Sequence, residues 1–334
     1  MLKVGLIGCG NIAKAHTDAY EQIAKEQGGV VLEAVCDIRP EQLTRFDNSI
    51  RKYTSLEEML EKEKGKLDYM DICVPTYLHS EVAIAAMEAG FHVLSEKPMA
   101  RTVEQAEAMV AASKRTGRTL MIGHCCRFYS VPDLIRETIA KGDLGKVRSA
   151  EFYREGGSKK PMGWNNWFRD GELSGGAMLD LHIHDVDVIR EFFGIPKAVS
   201  ALASSVITKD GYDAMSVNYA YDNGVFVHAL CDWTISNDKF NTRTVRVNFE
   251  KGYIFGDRTP GRQALVKVYE DGTVEDYTET MVFNAHKNEI VYFADCLSKG
   301  ESPDRCPPEQ SVDAVKIIMA EMRSADLGGA LVEV

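Results

Sequence analysis

Short apolar runs alternate with helical patterns over the first 123 residues of the chain. The runs are KVGLIGCG, VVLEAVCD, DYMDICVP, FHVLSEKP and TLMIGH, and segments such as AKAHTDAYEQIAKEQ and SEVAIAAMEAG lie between them. Short continuous apolar strands separated by helices are typical of parallel β-α-β winding, in which helices cover both faces of the sheet. We therefore predict an α/β domain with a doubly wound parallel sheet for residues 1–123.

The pattern changes after residue 123. From Ala198 onward, longer strands with alternating apolar and polar residues are joined by tight turns, among them Asn223-Gly224 and Asp271-Gly272. Such turns between alternating runs are strong hairpin signals. For residues 124–334 we predict an α+β domain with a large, open, mostly antiparallel sheet. Helical patterns at about 130–141, 177–193, 286–299 and 308–326 are expected to cover one face, leaving the other to contact a second subunit.

Composition and charge narrow the classes of function. A chain of 334 residues is long enough for two domains, and its 45% apolar and 27% charged residues are typical of a globular protein. The formal net charge is −11, and no cluster of Lys and Arg is long enough to neutralise a row of phosphates. Nucleic acid is therefore not an expected partner.

The chain lacks the features of a secreted or membrane protein. Met1 runs directly into a strand-like segment without a signal peptide, and no apolar run approaches membrane-spanning length. The eight cysteines include no CxxC pair, so we expect reduced thiols in the core rather than a disulfide framework. These observations predict a cytoplasmic protein with no membrane partner.

The first chemical motif, GCGNIA, spans Gly8 to Ala13 and matches GxGxxA. It follows a strand and opens a helix, so it predicts a Rossmann dinucleotide site with the pyrophosphate at the helix N-terminus. Asp37 ends the second strand and can accept hydrogen bonds from a ribose diol, which favours NAD. Arg39, two residues later, leaves NADP open. The predicted cofactor contacts from this region are Gly8, Gly10, Asn11, Ile12, Asp37 and Arg39.

The second motif is Glu96-Lys97-Pro98, at the end of the strand FHVLS. Residues at the carboxyl ends of parallel strands face the crevice where ligands bind, so Lys97 is placed to reach a substrate. The alternative is a surface lysine paired with Glu96. Pro98 can fix the direction of the Lys97 side chain, and a cis peptide bond would be one way to do so.

The third motif, SGGAMLDLHIHD, places acidic and imidazole side chains in an otherwise apolar helical segment. Asp180 and His184 are four residues apart, so in a helix they share one face and can point together at a cleft. Gly175 and Gly176 are expected to let the chain pass close to the cofactor. The apolar stripe that would hold this helix against the sheet consists of Leu179, Ile183, Val186 and Ile189.

A zinc site is the competing interpretation of this segment. His182 and His184, together with Cys125 and Cys126, have the chemistry of zinc ligands. Adjacent cysteines and a histidine pair two residues apart on a helix do not converge well on a tetrahedral ion, so we predict no metal.

Together with VPTYLH and GHCCRF, these motifs make the chain resemble the glucose–fructose oxidoreductase, inositol dehydrogenase and MocA family over its whole length. The resemblance implies a nicotinamide-binding Rossmann domain followed by a domain with a large open sheet, through which many members form dimers or tetramers. It implies that Lys97, Asp180 and His184 are catalytic. The family often has Gly two positions before the histidine, where this chain has His182.

Further positions are candidates for cofactor or substrate contacts. Those predicted near the cofactor are Pro75, His79, Glu96 and Lys97. Those predicted at the substrate are Arg127, Tyr153, Trp164, Asn165, Trp167 and His182. For each of them the alternative is a structural role, as an ion pair, a core residue or a loop anchor.

The predicted function is reversible hydride transfer between a nicotinamide cofactor and a carbinol carbon of a polyol or sugar, with His184 as general base and Lys97 hydrogen-bonded to the reacting oxygen. Two alternatives stay open. One is a glycoside-cleaving enzyme that uses NAD transiently, and the other is a catalytically silent dinucleotide-binding regulator. A homodimer or homotetramer formed through the C-terminal sheet is the expected assembly.

Overall fold

The computed structural model describes residues 1–157, 163–235, 241–282 and 284–334. The chain divides into two compact units. The first contains Met1–Cys125 and Asn284–Val312, and the second contains Cys126–Phe283 and Asp313–Val334.

The helices and strands are numbered along the chain. The α-helices are α1 (Asn11–Glu26), α2 (Pro40–Leu43), α3 (Leu56–Glu63), α4 (His79–Ala89), α5 (Val103–Thr116), α6 (Ser130–Lys141), α7 (Gly171–Ser174), α8 (Ile183–Phe193), α9 (Ala285–Lys299) and α10 (Pro308–Asp326). The strands are β1 (Leu2–Ile7), β2 (Val30–Cys36), β3 (Arg51–Tyr53), β4 (Tyr69–Ile72), β5 (His92–Glu96), β6 (Leu120–Gly123), β7 (Val147–Gly156), β8 (Ala198–Ser204), β9 (Ala214–Ala220), β10 (Phe226–Asp232), β11 (Asn241–Phe249), β12 (Gly252–Asp257), β13 (Ala264–Tyr269), β14 (Val274–Asp276) and β15 (Val332–Glu333).

The first unit is built on a six-stranded parallel sheet in the order β3-β2-β1-β4-β5-β6. This confirms the predicted doubly wound sheet. The order reverses between β1 and β4, and ligands of such folds bind outside the carboxyl ends of the strands at this point. Helix α1 buries one face, whose members are three or four residues apart: Ala13, His16, Ala19, Tyr20 and Ile23.

Helix α9 belongs to the first unit. Its Phe293 ring meets the Tyr69 ring edge-on with centroids 5.2 Å apart. At its start, Asn284 donates to the Gln22 side chain of α1 over 2.7 Å, and Lys287 is paired with Glu26. The expectation that residues 286–299 cover the antiparallel sheet is therefore wrong. Amphipathic spacing identifies which helix face is buried, but it does not say which sheet lies against that face.

The second unit is built on a nine-stranded sheet in the order β14-β13-β12-β11-β7-β10-β9-β8-β15. Strands β7 and β10 are parallel, and the other neighbouring pairs are antiparallel. The predicted mostly antiparallel sheet is confirmed. The turns Asn223-Gly224 and Asp271-Gly272 join consecutive strands, and both glycines have positive φ, 78° for Gly224 and 86° for Gly272.

Helices lie against one face of this sheet. Val131 of α6 packs so closely on Gly256 of β12 that an ideal Cβ there would lie 2.7 Å from the valine methyls. Ser324 of α10 accepts a hydrogen bond from the Ala201 amide of β8 over 2.9 Å. The opposite face carries Tyr153 and His228, and the centroids of their two rings lie 5.9 Å apart. Alternation along the strands thus separates a helix-covered face from an open face.

Two further findings concern the whole described chain. Within the described ranges, no helix combines the length and apolar character that crossing a membrane requires. All eight cysteines fall inside those ranges, and they are buried thiols without disulfide bonds.

Candidate active site

The two glycines of the GxGxxA motif serve different purposes. Gly8 has φ 88°, and a Cβ there would lie 2.7 Å from the carbonyl of Cys73 at the end of β4. Gly10 is the N-cap of α1, and a Cβ there would have no atom within 4 Å. Gly8 therefore permits close strand-to-loop packing, whereas Gly10 leaves open space at a helix N-terminus, where an anionic group is favourably bound.

Asp37 holds the glycine-rich loop. Its carboxylate accepts the Cys9 amide over 2.8 Å and the Arg39 amide over 2.9 Å, and the Arg39 Nε lies 3.5 Å away. Each carboxylate oxygen has two acceptor sites, so these bonds leave capacity for a ribose hydroxyl. Asn11 is exposed and Ile12 is half-buried at the start of α1. The cofactor roles of these residues stay predictions.

The two glycines give a matched test. We expect Gly8→Ala to lower the free energy of unfolding by about 1–3 kcal/mol, because it forces a side chain into positive φ, and the contact with Cys73 adds to that cost. Gly10→Ala should change stability by less than about 0.5 kcal/mol and weaken NAD binding at least about tenfold, since its methyl group fills the open space. Urea unfolding and titration with NAD measure both effects. Equal behaviour of the two variants would contradict this division of roles.

Lys97 lies in a segment that is braced by buried groups. The Lys97–Pro98 peptide bond is cis, as the sequence suggested, and the Lys97 amide donates to Glu96 over 3.2 Å. The ring of His79 lies between two backbone carbonyls, 2.7 Å from that of Pro98 and 2.9 Å from that of Val74. Burial lowers the pKa of His79, so its neutral ring donates one hydrogen bond at a time.

The prediction that the His79 side chain contacts the cofactor needs correction. The side chain is buried and its nitrogens face the backbone at the ends of β4 and β5, so it braces the Lys97 segment. Pro75 precedes the short 3₁₀ turn Thr76–Leu78 that leads into α4. Cofactor contact by Pro75 stays a prediction.

A buried histidine that lies outside the sequence motifs connects these parts. His16 Nδ1 lies 2.8 Å from Asp71, and Nε2 lies 2.9 Å from Glu96. Burial by itself would lower the pKa of His16, but the charge and hydrogen bond of Asp71 outweigh it, and the pKa lies well above the usual 6.5. Burial likewise opposes ionisation of Glu96, yet the hydrogen bond from His16 brings its pKa down to about 2. His16 is therefore an imidazolium between two carboxylates.

Further groups surround this ion triad. Asp71 also accepts the Tyr20 hydroxyl over 2.7 Å, and the His286 ring lies 5.5 Å from the His16 ring. Donor atoms of His16, Glu96, His286 and Glu289 approach within 4.8 Å of one another, a spacing that suits a metal ion. Both nitrogens of His16 are already engaged by carboxylates, and its proton supplies the positive charge, so the cluster needs no cation there.

The sequence carried a signal for His16. It occupies the same face of α1 as Ala13, Ala19 and Tyr20, three or four residues apart, so that face had to meet the sheet with an imidazole on it. Asp71 lies within the buried run of β4. A buried histidine and a buried carboxylate in facing elements predict a pair.

The triad predicts a pH dependence of stability. A raised His16 pKa contributes stability that is complete below about pH 6.5 and is lost as pH rises through the folded-state pKa. The lowered Glu96 pKa contributes stability above about pH 4.5 that is lost as pH falls toward its folded value of about 2. We expect His16→Gln to be less stable than wild type at pH 6, with the gap narrowing as the pH rises through the His16 pKa.

Urea unfolding between pH 6 and 10 checks this expectation. His92→Gln is the matched control, because burial lowers the pKa of His92, so above about pH 7.5 this histidine is neutral in the folded and in the unfolded chain, and the two variants are compared there. Its difference from wild type should stay constant. A constant gap for His16→Gln as well would mean that His16 is not an imidazolium.

In the second unit, the segment with Asp180 and His184 is helical, but its first turn is wider than an α-helix. Met178–His182 forms a π-turn in which the Ile183 amide donates to the Met178 carbonyl, and α8 follows directly. Such wide turns are frequent at functional sites. The predicted apolar stripe is fully buried. From 177 to 189 only Asp180, Leu181 and His184 are not fully buried, so two of the three accessible side chains are the predicted catalytic pair.

His182 points into the core instead. It is fully buried, with Nε2 3.0 Å from the Tyr219 hydroxyl and 3.3 Å from the Glu321 carboxylate. Its predicted place at the substrate is therefore wrong. The wide turn and the two-residue spacing direct it away from His184, and a polar pair from β9 and α10 receives it.

Arg127 likewise binds a carboxylate inside the protein. Its guanidinium makes two 2.7 Å hydrogen bonds to Asp187 of α8, and both side chains are buried. We therefore correct the prediction that Arg127 contacts substrate: its fork-shaped donors are committed to a carboxylate. The ion pair fixes α8 to the segment before α6.

This buried pair yields a stability prediction. Arg127→Met should lower the free energy of unfolding by about 3–5 kcal/mol, because it leaves the Asp187 charge buried and unpaired. The double variant Arg127→Met, Asp187→Leu should recover most of that loss. Urea unfolding of both variants measures it. A double variant no more stable than the single one would show that the pair is not the reason for the loss.

The remaining substrate candidates lie on other surfaces. Tyr153 lies on the face of the sheet that meets His228, while its neighbour Arg154 is buried on the other face and bonds to Asp185 of α8. Strand alternation directs the Tyr153 side chain to the face opposite that of Arg154, and its contact with substrate stays a prediction. Trp164 and Asn165 are exposed, and Trp167 stacks on Phe168 with centroids 4.0 Å apart. Roles of these three in substrate binding stay predictions.

Packing within the protein explains the glycine at position 176, whereas the sequence predicted that it lets the chain pass close to the cofactor. It has φ 65°, and an ideal Cβ would lie 2.6 Å from the Tyr212 carbonyl oxygen. Its neighbour Ala177 donates to the same carbonyl over 2.8 Å. The glycine thus admits the Tyr212 backbone, and approach to a cofactor is not needed to explain it.

Comparison with known proteins gives consistent matches along the chain. A model described as an oxidoreductase family with an NAD-binding Rossmann fold matches residues 2–124, and a GFO/IDH/MocA C-terminal domain model matches residues 133–255. Levoglucosan dehydrogenase of Pseudarthrobacter phenanthrenivorans is 33% identical over 218 residues, 62% of this chain and 55% of that protein. The chain therefore matches little more than half the length of this relative.

Other relatives cover more of the chain. Glucose-6-phosphate 3-dehydrogenase of Bacillus subtilis is 27% identical over 69% of this chain and 67% of its own length. D-xylose 1-dehydrogenase (NADP(+)) 2 of Haloferax volcanii is 29% identical over 84% of each. Among solved structures, a levoglucosan dehydrogenase with NADH and levoglucosan has a TM-score of 0.88 at 23% identity, covering 100% of this chain and 99% of that one, which shows the shared fold.

The resemblance inferred from the motifs is confirmed by the two family models, and so is the prediction of an NAD-type dinucleotide cofactor. The chain belongs to the GFO/IDH/MocA family of oxidoreductases, and its N-terminal unit is an NAD-binding Rossmann domain.

Proposed function

We propose that this protein is an NAD-dependent dehydrogenase that transfers hydride between the nicotinamide ring and a carbinol carbon of a sugar or polyol. The observation that carries the proposal is the accessibility of Asp180 and His184 on a segment whose other residues, apart from Leu181, are buried. The His184 ring is half-buried, and within the described residues its Nδ1 atom is buried without a hydrogen-bond partner, as expected of a group whose partner is a bound substrate. Relatives named as sugar dehydrogenases support the substrate class.

The chemistry divides between cofactor and protein. Bound NAD would supply the hydride acceptor, with its pyrophosphate held at the glycine-rich loop and its ribose at Asp37. His184 takes the hydroxyl proton as general base, so the alcohol becomes a carbonyl and both electrons of its C–H bond leave with the hydride. The Lys97 ammonium hydrogen-bonds the same oxygen and stabilises its developing negative charge. Asp180, one turn before His184, orients the imidazole or holds a neighbouring hydroxyl.

The surroundings of Lys97 support its assigned role. Glu96 fixes the Lys97 amide, and His79 braces the carbonyl that follows it. A lysine on a segment held from both sides loses less freedom when it binds an oxygen, which favours a preorganised donor. Asp37, with its buried carboxylate at the end of β2, favours NAD over NADP, since it would repel a 2′-phosphate.

The expected assembly and location follow from separate features. The open face of the nine-stranded sheet supports a homodimer or homotetramer, because a face without covering helices is available to a second copy. Eight thiols without disulfide bonds support a cytoplasmic location.

Two variants test the assignment. Lys97→Met and His184→Ala should each lower kcat by about 10²–10⁴-fold, which is the usual contribution of a positioned proton-transfer group. NAD affinity should stay within about threefold, because neither change touches the glycine-rich loop. Lys114→Ala is the control, since Lys114 forms an exposed ion pair with Glu309 and should leave kcat unchanged. Full activity in either active-site variant would reject the assignment.

An assay of NADH formation also distinguishes the proposed dehydrogenase from the two alternative functions. A panel of inositols, aldoses, sugar acids and glycosides is incubated with NAD, and NADH is followed by absorbance. Accumulation of NADH supports the dehydrogenase. Glycoside cleavage without NADH accumulation would indicate transient oxidation, and NAD binding without any turnover would indicate a silent regulator.

A further inference from the structure

Three arginines lie side by side on the helix-covered face of the second unit. Arg154 of β7 is the register partner of Arg243 of β11, and Arg258, just after β12, donates its amide to the Arg243 carbonyl over 2.8 Å. Because the three residues sit on adjacent strands with the same orientation, their side chains share one face. All three line a cavity of about 40 Å³ under α6 and α8.

Among the residues that the structure describes, a carboxylate neutralises one of these three guanidinium groups, that of Arg154. Arg154 makes two 2.7 Å bonds to Asp185, which satisfies both partners. Arg243 bonds to the Asn241 amide oxygen over 3.0 Å, and Arg258 lies 3.2 Å from the Tyr129 ring centroid. Across the described ranges, neither Arg243 nor Arg258 forms an ion pair with a carboxylate.

Burial makes this imbalance significant. Arg258 Nε is buried without a hydrogen-bond partner, again within the described part of the chain. Burial and the neighbouring charges of Arg154 and Arg258 lower the pKa of Arg243, as expected for a cation that lacks a counter-charge. Half-buried guanidinium groups without an acid are costly to retain, so a site that keeps two of them is suited to an anion that arrives from outside.

The N-terminus of α6 adds to the positive potential. Tyr129 is the N-cap of this 12-residue helix and supplies no side-chain capping bond, and Val131 and Pro132 of the first turn line the same cavity. A helix N-terminus next to guanidinium groups is a favourable environment for an oxyanion.

The cavity is next to the catalytic imidazole. Cys126 lines it, and the Cys126 sulfur lies within 4.8 Å of a ring nitrogen of His184. Val188, one turn after His184 and on the same side of α8, also lines it. A small molecule whose carbinol group meets His184 could place another substituent in the cavity.

We propose that Arg243 and Arg258 bind a carboxylate or phosphate group of the substrate, so that the enzyme acts on anionic sugars rather than neutral ones. This inference rests on the proposed function. A planar carboxylate matches the fork of a guanidinium, and the limited size of the cavity suits one small oxyanion group.

The first experiment compares matched substrates. Wild-type enzyme with NAD is supplied with glucose, glucuronate, gluconate and glucose 6-phosphate, and NADH formation gives kcat/KM for each. We expect at least one anionic member to exceed glucose by about tenfold or more, since a charge-assisted hydrogen bond is worth that factor. Comparison of the sugar acids with the sugar phosphate identifies the anionic group. Equal kcat/KM for neutral and anionic members would overturn the proposal.

The second experiment changes the arginines. Arg243→Gln and Arg258→Gln should each lower the anionic-to-neutral ratio of kcat/KM at least about tenfold, mainly through KM, and Arg243→Lys should restore part of the ratio because it keeps the charge. Arg262→Gln is the control. Arg262 lies four residues from Arg258 but is 68% exposed and pairs with Asp257, so its ratio should stay within about twofold of wild type. Ratios unchanged in both glutamine variants would overturn the proposal.

A direct measurement of binding tests the proposed anion site without requiring turnover. Calorimetry with glucuronate, with glucose 6-phosphate and with inorganic phosphate is run on the NAD-loaded wild type and on Arg243→Gln. Glucuronate binding that is lost in the variant supports the site even if no sugar is oxidised, in which case the dehydrogenase proposal fails and the anion site stands. Binding of inorganic phosphate without glucuronate or glucose 6-phosphate binding would show an adventitious ion only, and would overturn the substrate assignment.

Discussion

The buried imidazolium of His16 is the interaction on which the functional edge of the first unit depends. A neutral imidazole has one N–H and could satisfy one of the two carboxylates beside it, leaving the other buried and unpaired. With both nitrogens protonated, His16 joins Asp71 of β4 to Glu96 of β5 from its position on α1. The helix that begins at the glycine-rich loop is thereby fixed to the strand that immediately precedes Lys97. Protonation of His16 therefore fixes both the start of α1, where the pyrophosphate is predicted to bind, and the segment that contains Lys97.

The second unit uses ion pairs for a similar purpose. Asp185 and Asp187 lie two residues apart on α8 and face different partners, Arg154 on β7 and Arg127 before α6. Each pair is bidentate and buried, so rotation of α8 about its axis would break both. The apolar stripe excludes sliding, because its members fill the space against the sheet. With the helix held in this way, Asp180 and His184 are the polar side chains of residues 177–189 that stay partly accessible.

The sequence was sufficient for what depends on local chemistry or repeated pattern. The alternation of strands and helices, the hairpin turns at Gly224 and Gly272, and the helical spacing of Asp180 and His184 are encoded within a few residues of each feature. Contacts across the fold were not accessible in this way. The partners of His182 and Arg127 lie 37 and 60 residues away along the chain, so their burial could not be inferred from spacing. The same holds for the sheet on which α9 packs.

The arginine cavity also shows why overall charge is a poor guide to a local site. The chain carries a net charge of −11, which taken alone argues against an anionic ligand. Screening confines the field of exposed charges to about 8 Å at physiological ionic strength, whereas a group inside a half-buried cavity interacts with its immediate neighbours at reduced screening. An anion that enters is therefore governed by Arg243, Arg258 and the α6 N-terminus. The acidic surface lowers the encounter rate of anions in general but leaves the local affinity intact. Such an arrangement favours a ligand that has further contacts near His184 over a bare inorganic ion, because the additional contacts add to the affinity that the two arginines supply.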